Sequence, residues 1–488
     1  KGNANVTKSR GRDLVVPGLP VASVGGVEVP PQVWVTYHPA AVLRGAVNLR
    51  EFILEDLKNL TREETPWPKE EPPKSKTLGI DTEWGADGTL LTIGLADGES
   101  AIAYETGDPE CTEHVASLLE KATVLVGHSV VSDIEQLSTK NYPLTSRWNA
   151  GVRVLDSLLL ARMSNENRLS YELEALLLST LKTPEWKRHT SDLLSTVGDM
   201  SLISPSFRKE RCRLDAWAAW KIAQTLYPSL NSRLVEFTQR TAQTLHRLTI
   251  TGSITSLSTL GSLGGLYQAR LARANDLLAK AARAAGMEEF SPTNDGQLRE
   301  LLYERLKLPI LRRTPTRLPA VDKLTLKQLD HEVAQLLVEY SQADKLYTVN
   351  VAGLQKFLHP CGRVDGEEVA WLPFHFNPLG ARTGRRAAHD PNSQNWAEEI
   401  RKIIRSRYPG GSILDNDYRK LEARLIGWVA EDDKLLHAFT KGRGYADIGR
   451  ELLGWDVKDG TPEYRSVKSI VLGVHYNMQT PKMAKELW

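Results

Sequence analysis

The eight residues "TLGIDTEW" at 77–84 constrain this chain more than any other stretch. Apolar and polar side chains alternate as on a strand, and Asp81 and Glu83, two apart, leave the same face of it. Two carboxylates on one strand face repel each other until something positive is brought to them. Divalent cations, which prefer hard oxygen ligands, are one such partner. Two magnesium ions about 4 Å apart can activate a water and neutralise the leaving oxygen in phosphodiester cleavage. By itself the Asp-x-Glu pair also fits a solvated strand edge.

The surroundings narrow the choice of fold. Upstream, "EETPWPKEEPPKSK" (63–76) is rich in Pro and charge, lacks periodicity and reads as a linker. Downstream, "LLTIGLAD" and "VLVGHS" continue the strand pattern, and helical patterns then run to about residue 228. Residues 229–355 are almost wholly helical in period, interrupted by "GSLGGL" (261–266), a loop signal. An apolar strand, "SILDND" (412–417), precedes further helices. The expected architecture is a multidomain α/β chain with a front segment (1–62), the linker, an α/β domain (77–228), a helical region (229–360) and a mixed region (361–488).

Composition excludes more than it assigns. A net charge of +2 gives no bulk attraction for nucleic acid, so any such partner must be met by local clusters. Three cysteines, far apart and in no CxxC pair, argue against a zinc site or disulfide framework and suit a reducing, cytoplasmic setting. No apolar run of about 18 residues is present to span a membrane. Walker A, HExxH and GxSxG motifs are absent.

Two further acidic residues complete the first set. In "VLVGHSVVSDIEQL", Asp133 follows a strand end at a helix start; in "RLDAWAAWKIAQTL", Asp215 lies on a helix. Asp81, Glu83, Asp133 and Asp215, in that order and spacing, resemble the DEDD superfamily of 3′–5′ exonucleases over residues 77–228. "DSLLLARM" and "LSYELEALLLSTL" resemble the helix pair between that family's second and third motifs. The resemblance implies an RNase H-like domain whose four carboxylates hold two Mg²⁺ ions, or Mn²⁺. Departures are specific. Ser129 and Ser132 replace an Asn and an aromatic residue, and Arg211 and Glu210 stand where a Tyr or His orients the attacking water. Arginine cannot be a general base. That leaves Glu210 as a substitute base, Arg211 as a phosphate ligand, or a domain that holds DNA without cutting it.

The second set lies in 381–476. "ARTGRRAAHDPNSQNWAEEIRKIIRSR" concentrates Arg382, Arg385, Arg386, Arg401, Lys402, Arg405 and Arg407, with Asn392, Gln394 and Asn395 interleaved. Such density suits a surface that tracks a phosphate backbone. Next, "SILDNDYRKLEARLIGWVA" places Asp417 at a strand end and Glu422 near the first turn of a helix. Finally, Arg465, Lys468, Leu472 and Tyr476 recur at three- and four-residue steps and so share one helix face.

These segments resemble motif A, the TGRxxxxxPNxQN segment and motif B of family A DNA polymerases. With the exonuclease-like set they cover residues 77–488 in that family's order, with 229–360 as helical thumb and 361–488 as partial palm and fingers. The resemblance implies primer–template DNA and deoxynucleoside triphosphates as partners, and two Mg²⁺ ions (Mn²⁺ as substitute) at the polymerase centre. Asp417 would ligate metal, and Glu422 would lie beside the sugar. Arg385, Asn392, Gln394 and Asn395 would touch DNA. Lys468 and Arg465 would bind phosphates, Leu472 would pack on the sugar, and Tyr476 would lie near the templating base. Tyr464 stands where a further Arg is frequent. The third motif, His-Asp-Glu, is absent, so a fragment with weak or no polymerisation is expected, its parent extending past Trp488 and before Lys1. A DNA- and nucleotide-binding scaffold, or a nuclease alone, are the alternative readings. No motif speaks for or against a processivity partner.

At the front, "VTYHPAAVLR" and "TKSRG" resemble the C-terminal part of iron–sulfur-type uracil-DNA glycosylases, followed by an amphipathic "LREFILEDLKNL" helix. His38 would be the counterpart of the residue that polarises a flipped-out uracil. Only about the last 60 residues of such a domain are represented, so a remnant without glycosylase activity is expected.

Overall fold

The computed structural model describes residues 65–488 apart from 109–110, 141, 169, 182–185, 481–482 and 484–488, together with the short segments 13–14, 22–24, 27–29 and 33–34. His38 and the expected helix at 49–60 lie outside the described residues. At the front, 13–14 pairs with 33–34 and 22–24 with 27–29, both antiparallel. The chain divides into two compact units, residues 1–411 and 412–488.

The first unit is built on a five-stranded sheet. Its strands are β1 (Thr77–Trp84), β2 (Leu90–Ala96), β3 (Ala101–Glu105), β4 (Val124–Gly127) and β5 (Arg153–Asp156). Their spatial order is β3-β2-β1-β4-β5. The β1–β2 and β2–β3 pairs are antiparallel, whereas β4 and β5 run parallel to β1. The parallel strands need covered crossovers. These are α1 (Cys111–Lys121) before β4, and α2 (Val131–Thr139) between β4 and β5. On one face Leu78, Ile80, Ile93 and Leu125 pack with Val115, Leu119 and Ile134. The other is covered by α3 (Ser157–Ser164), α4 (Leu173–Thr180) and α5 (Pro205–Leu226), with Trp217 fully buried.

The region expected to be helical is largely so, interrupted by one short strand and by the irregular stretch 306–322. After α6 (Ser232–Thr251) comes the strand β6 (Ser253–Ser256), then α7 (Leu257–Ala284) and α8 (Glu332–Tyr347). "GSLGGL" is not a loop but lies inside α7. Helix propensity is a weak prior that packing overrides. Here Gly264 is buried against Val351, which a Cβ would approach to 3.2 Å, so a small residue is useful there. Strand β6 sits within a second antiparallel sheet of order β7-β8-β6-β11, formed with β7 (His359–Val364), β8 (Glu367–Leu372) and β11 (Ile404–Arg405). A small hairpin, β9 (His375–Asn377) with β10 (Ala387–His389), carries the Arg-rich loop between its strands.

The second unit holds α9 (Leu421–Val429), α10 (Asp433–Thr440), α11 (Tyr445–Leu453) and α12 (Pro462–His475) around Ala423, Phe439, Tyr445, Val457, Tyr464, Val467 and Val471. The expected strand at 412–417 is not formed: residues 411–418 have no regular structure, and Leu414 is 85% exposed. Strand pairing needs a neighbour to take the backbone N–H and C=O groups. Among the described residues no strand pairs with this segment.

Candidate functional site

Two glycines set how closely α5 lies on the sheet. A Cβ at Gly79 on β1 would fall 2.5 Å from the carbonyl oxygen of Ala216, and one at Gly94 on β2 would fall 2.4 Å from that of Cys212. With no side chain in the way, Cys212 Sγ comes within 3.3 Å of the Asp81 carbonyl oxygen. That approach brings Asp215, on α5, to the strand face bearing Asp81 and Glu83. One carboxylate oxygen from each lies within 4.8 Å of the others. Glu83 and Asp215 are buried, and Asp81 keeps some surface open to solvent.

Cations have been folded into the same place. Lys187 Nζ lies 2.6 Å from Asp215 Oδ2, and Trp186 Nε1 donates to Oδ1 of the same carboxylate at 2.7 Å. Arg211, one turn before Asp215, places Nε 2.7 Å from Glu83 Oε1 and 3.9 Å from Asp215 Oδ2. Burial opposes the Arg211 charge, but Glu83 first, then Asp215 and Asp81, more than compensate and hold the guanidinium firmly charged. Burial also pushes Glu83 up to about 6 against the pull of Arg211. Asp81 is raised well above the carboxylate range by burial and then by Asp215, Asp133 and Glu83, with Lys187 opposing.

The expected fourth ligand, Asp133, is not among the three gathered within 4.8 Å, but its charge reaches Asp81. Asp133, at the start of α2, accepts a hydrogen bond from Thr82 Oγ1 at 2.6 Å. Thr82 leaves β1 on the face opposite Asp81 and Glu83, because strand side chains alternate. Burial raises Asp133 to about 7 in spite of that bond. Glu210, the candidate substitute base, is turned to Arg213 at 2.6 Å. Sequence reading missed Asp156, which ends β5 and receives the backbone N–H groups of Ser129 (3.0 Å), Val130 (3.3 Å) and Leu158 (2.9 Å). Burial lifts it to about 6. The signal was available: Asp followed by "SLLLA" is a helix N-cap pattern.

Do these side chains fit the paired divalent cations that the spacing suggests? Their oxygens do, but their nitrogens do not. The oxygens on which a metal would sit are met by Lys187, Arg211 and Trp186, so a cation enters only if those groups withdraw. Among the described residues this trio is the one group of three or more metal-ligating side chains gathered so closely.

The second expected set lies partly on the β9–β10 hairpin. Arg382, Arg385 and Arg386 are exposed on its loop, and Asn392 and Asn395 are exposed just beyond it. Gln394 is engaged with the hairpin itself: its Oε1 accepts from the Ala388 N–H at 3.0 Å and its Nε2 donates to the Arg386 carbonyl at 3.4 Å. Two of the clustered arginines are structural rather than free for a backbone. Arg405 pairs with Glu367 at 3.1 Å, and Arg407 donates to the carbonyls of Thr251 and Gly252.

In the second unit, Thr461 caps α12 by accepting from the Tyr464 N–H. Tyr464, Val467 and Val471 face the core. Arg465 and Lys468 lie on the exposed side, with Leu472 half-buried beside them and Tyr476, the C-cap residue, 64% exposed. Tyr464 is thus a packing residue, edge-on to Tyr445 at 5.7 Å. Glu422 lies in the first turn of α9. Asp417 is exposed in the irregular segment before that helix.

Comparison with known proteins converges on one family. Residues 262–488 match the model of DNA polymerase family A. The chain is 26% identical to a DNA polymerase I of Caldicellulosiruptor bescii over 80% of its own length and 43% of that protein. It is 27% identical to DNA polymerase I of Geobacillus stearothermophilus over 56% of its length and 31% of the relative. For the Lactococcus lactis subsp. cremoris counterpart the figures are 31% identity, 50% and 28%. The chain therefore spans less than half the length of these curated relatives. In fold it is similar to the polymerase domain of Pol1 from M. smegmatis, solved with primer-template DNA and dNTP. The TM-score is 0.63 at 20% identity, covering 84% of this chain and 70% of that one.

Proposed function

We propose that the chain is a member of DNA polymerase family A, whose model matches residues 262–488, and that it is part of a DNA-directed DNA polymerase. In this reading it holds primer–template DNA and an incoming deoxynucleoside triphosphate. The supporting observation is the face of α12: Arg465 and Lys468 stand exposed, one turn apart, on a helix whose other side is anchored by Tyr464, Val467 and Val471.

Lys468 supplies a compact ammonium suited to spread phosphate charge, and Arg465 a second donor for the same triphosphate. Leu472, half-buried, offers an apolar surface for the deoxyribose, and Tyr476 a ring for the templating base. Glu422 stands beside the sugar edge, where a 2′-hydroxyl would meet it. Asp417 would hold Mg²⁺ or Mn²⁺, which supplies charge neutralisation at the triphosphate when bound. Arg385, Asn392 and Asn395 track the duplex, while Gln394 acts by fixing the hairpin that presents them. Residues 77–228 take the place of the exonuclease-type domain, 229–360 the thumb, 361–488 part of palm and fingers, and 1–62 a glycosylase-like remnant. No helix among the described residues is long and apolar enough to cross a membrane.

Fluorescence anisotropy with a labelled primer–template tests this. Wild type should bind with a strong salt dependence. Arg385→Ala should weaken binding and flatten the log–log salt slope by about 0.9, one phosphate contact. Absence of duplex binding at low salt contradicts the reading.

A further inference from the structure

The carboxylates of the exonuclease-type domain are already provided with cations. Asp81, Glu83 and Asp215 bring three acidic groups within 4.8 Å. Against them stand Lys187 Nζ at 2.6 Å and Arg211 Nε at 2.7 Å, both on side chains only 17% exposed. Coulomb attraction at such separations is several times stronger near a protein interior than in water. The two tethered cations need no binding from solution, since folding delivers them at high effective concentration. Their placement is also supported on both sides. Arg211 rides on α5, held against the sheet by the close approaches at Gly79 and Gly94, and Lys187 follows Trp186, whose indole donates to the same Asp215.

We propose that Lys187 and Arg211 permanently occupy the places of the two divalent cations, so that this domain is a metal-free fold that does not degrade DNA. The inference rests on the reading of residues 77–228 as an exonuclease-type domain. It gives Arg211 a role as counter-ion where a water-orienting residue was expected. Three carboxylates against two cations leave a single negative charge in place of the surplus that would draw in a divalent ion.

Mn²⁺ titration followed by electron paramagnetic resonance, with Asp81→Asn as the reference, reads this directly. Wild type and Asp81→Asn should bind the same number of Mn²⁺ ions, and neither should shorten a 3′-labelled single strand in Mg²⁺. Lys187→Met/Arg211→Met should gain about one further Mn²⁺ per chain, lost again on adding Asp81→Asn. Mn²⁺ binding or strand shortening by wild type that Asp81→Asn abolishes overturns the proposal. Equally, it falls if the double variant stays folded by circular dichroism and gains no site. Should that variant not fold, the wild-type comparison with Asp81→Asn and the single variant Lys187→Met decide by the same criteria. Primer–template binding measured on the same samples reports the polymerase reading independently.

Discussion

Arg211 Nε lies 2.7 Å from Glu83 Oε1, a guanidinium set against a carboxylate that burial holds near 6. Removing one partner of a buried pair leaves the other uncompensated. Arg211→Ala should therefore cost about 3 kcal/mol of stability at pH 8. At pH 5, where Glu83 is largely protonated, the loss should be clearly smaller. Urea unfolding at the two pH values measures both, and equal losses would contradict the pairing.

Asp133 makes a second pH-dependent contribution. Its carboxyl is raised from the ordinary value near 4 to about 7, with burial the cause. A raised folded-state pKa means that the folded protein holds the proton more tightly than the unfolded chain. The stabilisation is complete below about pH 4 and disappears as pH climbs through about 7. Asp133→Asn, which can still accept from Thr82, should match wild type at low pH and melt higher at pH 8 in chelator-containing buffer. Parallel melting curves across this range would refute the assignment.

Ser129 sits in the left-handed region at φ 60°, exposed, with its N–H given to Asp156. A residue with a Cβ is strained there, by roughly 1–2 kcal/mol relative to right-handed backbone. Ser129→Gly keeps the hydrogen bond and relieves the strain, and should stabilise the first unit by about 0.5–1 kcal/mol after the added chain entropy. A loss of stability on chemical denaturation would show that the serine side chain has a role of its own.

Much of this was legible in the chain before its structure. The strand bearing Asp81 and Glu83, the helix start at Asp133, the helix carrying Asp215, and the exposed cationic face of α12 all follow from local periodicity. What escaped was long-range. Nothing near Lys187 in sequence announces that it meets Asp215, 28 residues on, because that contact depends on α5 settling over two glycines. The strand expected at 412–417 failed for the complementary reason: an apolar pattern specifies a strand only where a second strand lies alongside. Asp133 was assigned by spacing, and its hydrogen bond to Thr82, across the strand from the trio, was not visible there.

The measurement closest to the centre of this account is equilibrium binding of a labelled deoxynucleoside triphosphate to the chain saturated with a chain-terminated primer–template. Binding should depend on the templating base, and Lys468→Ala should weaken it about tenfold, or about 1.4 kcal/mol, while leaving primer–template affinity unchanged. Nucleotide binding that ignores both the templating base and Lys468 would contradict the account.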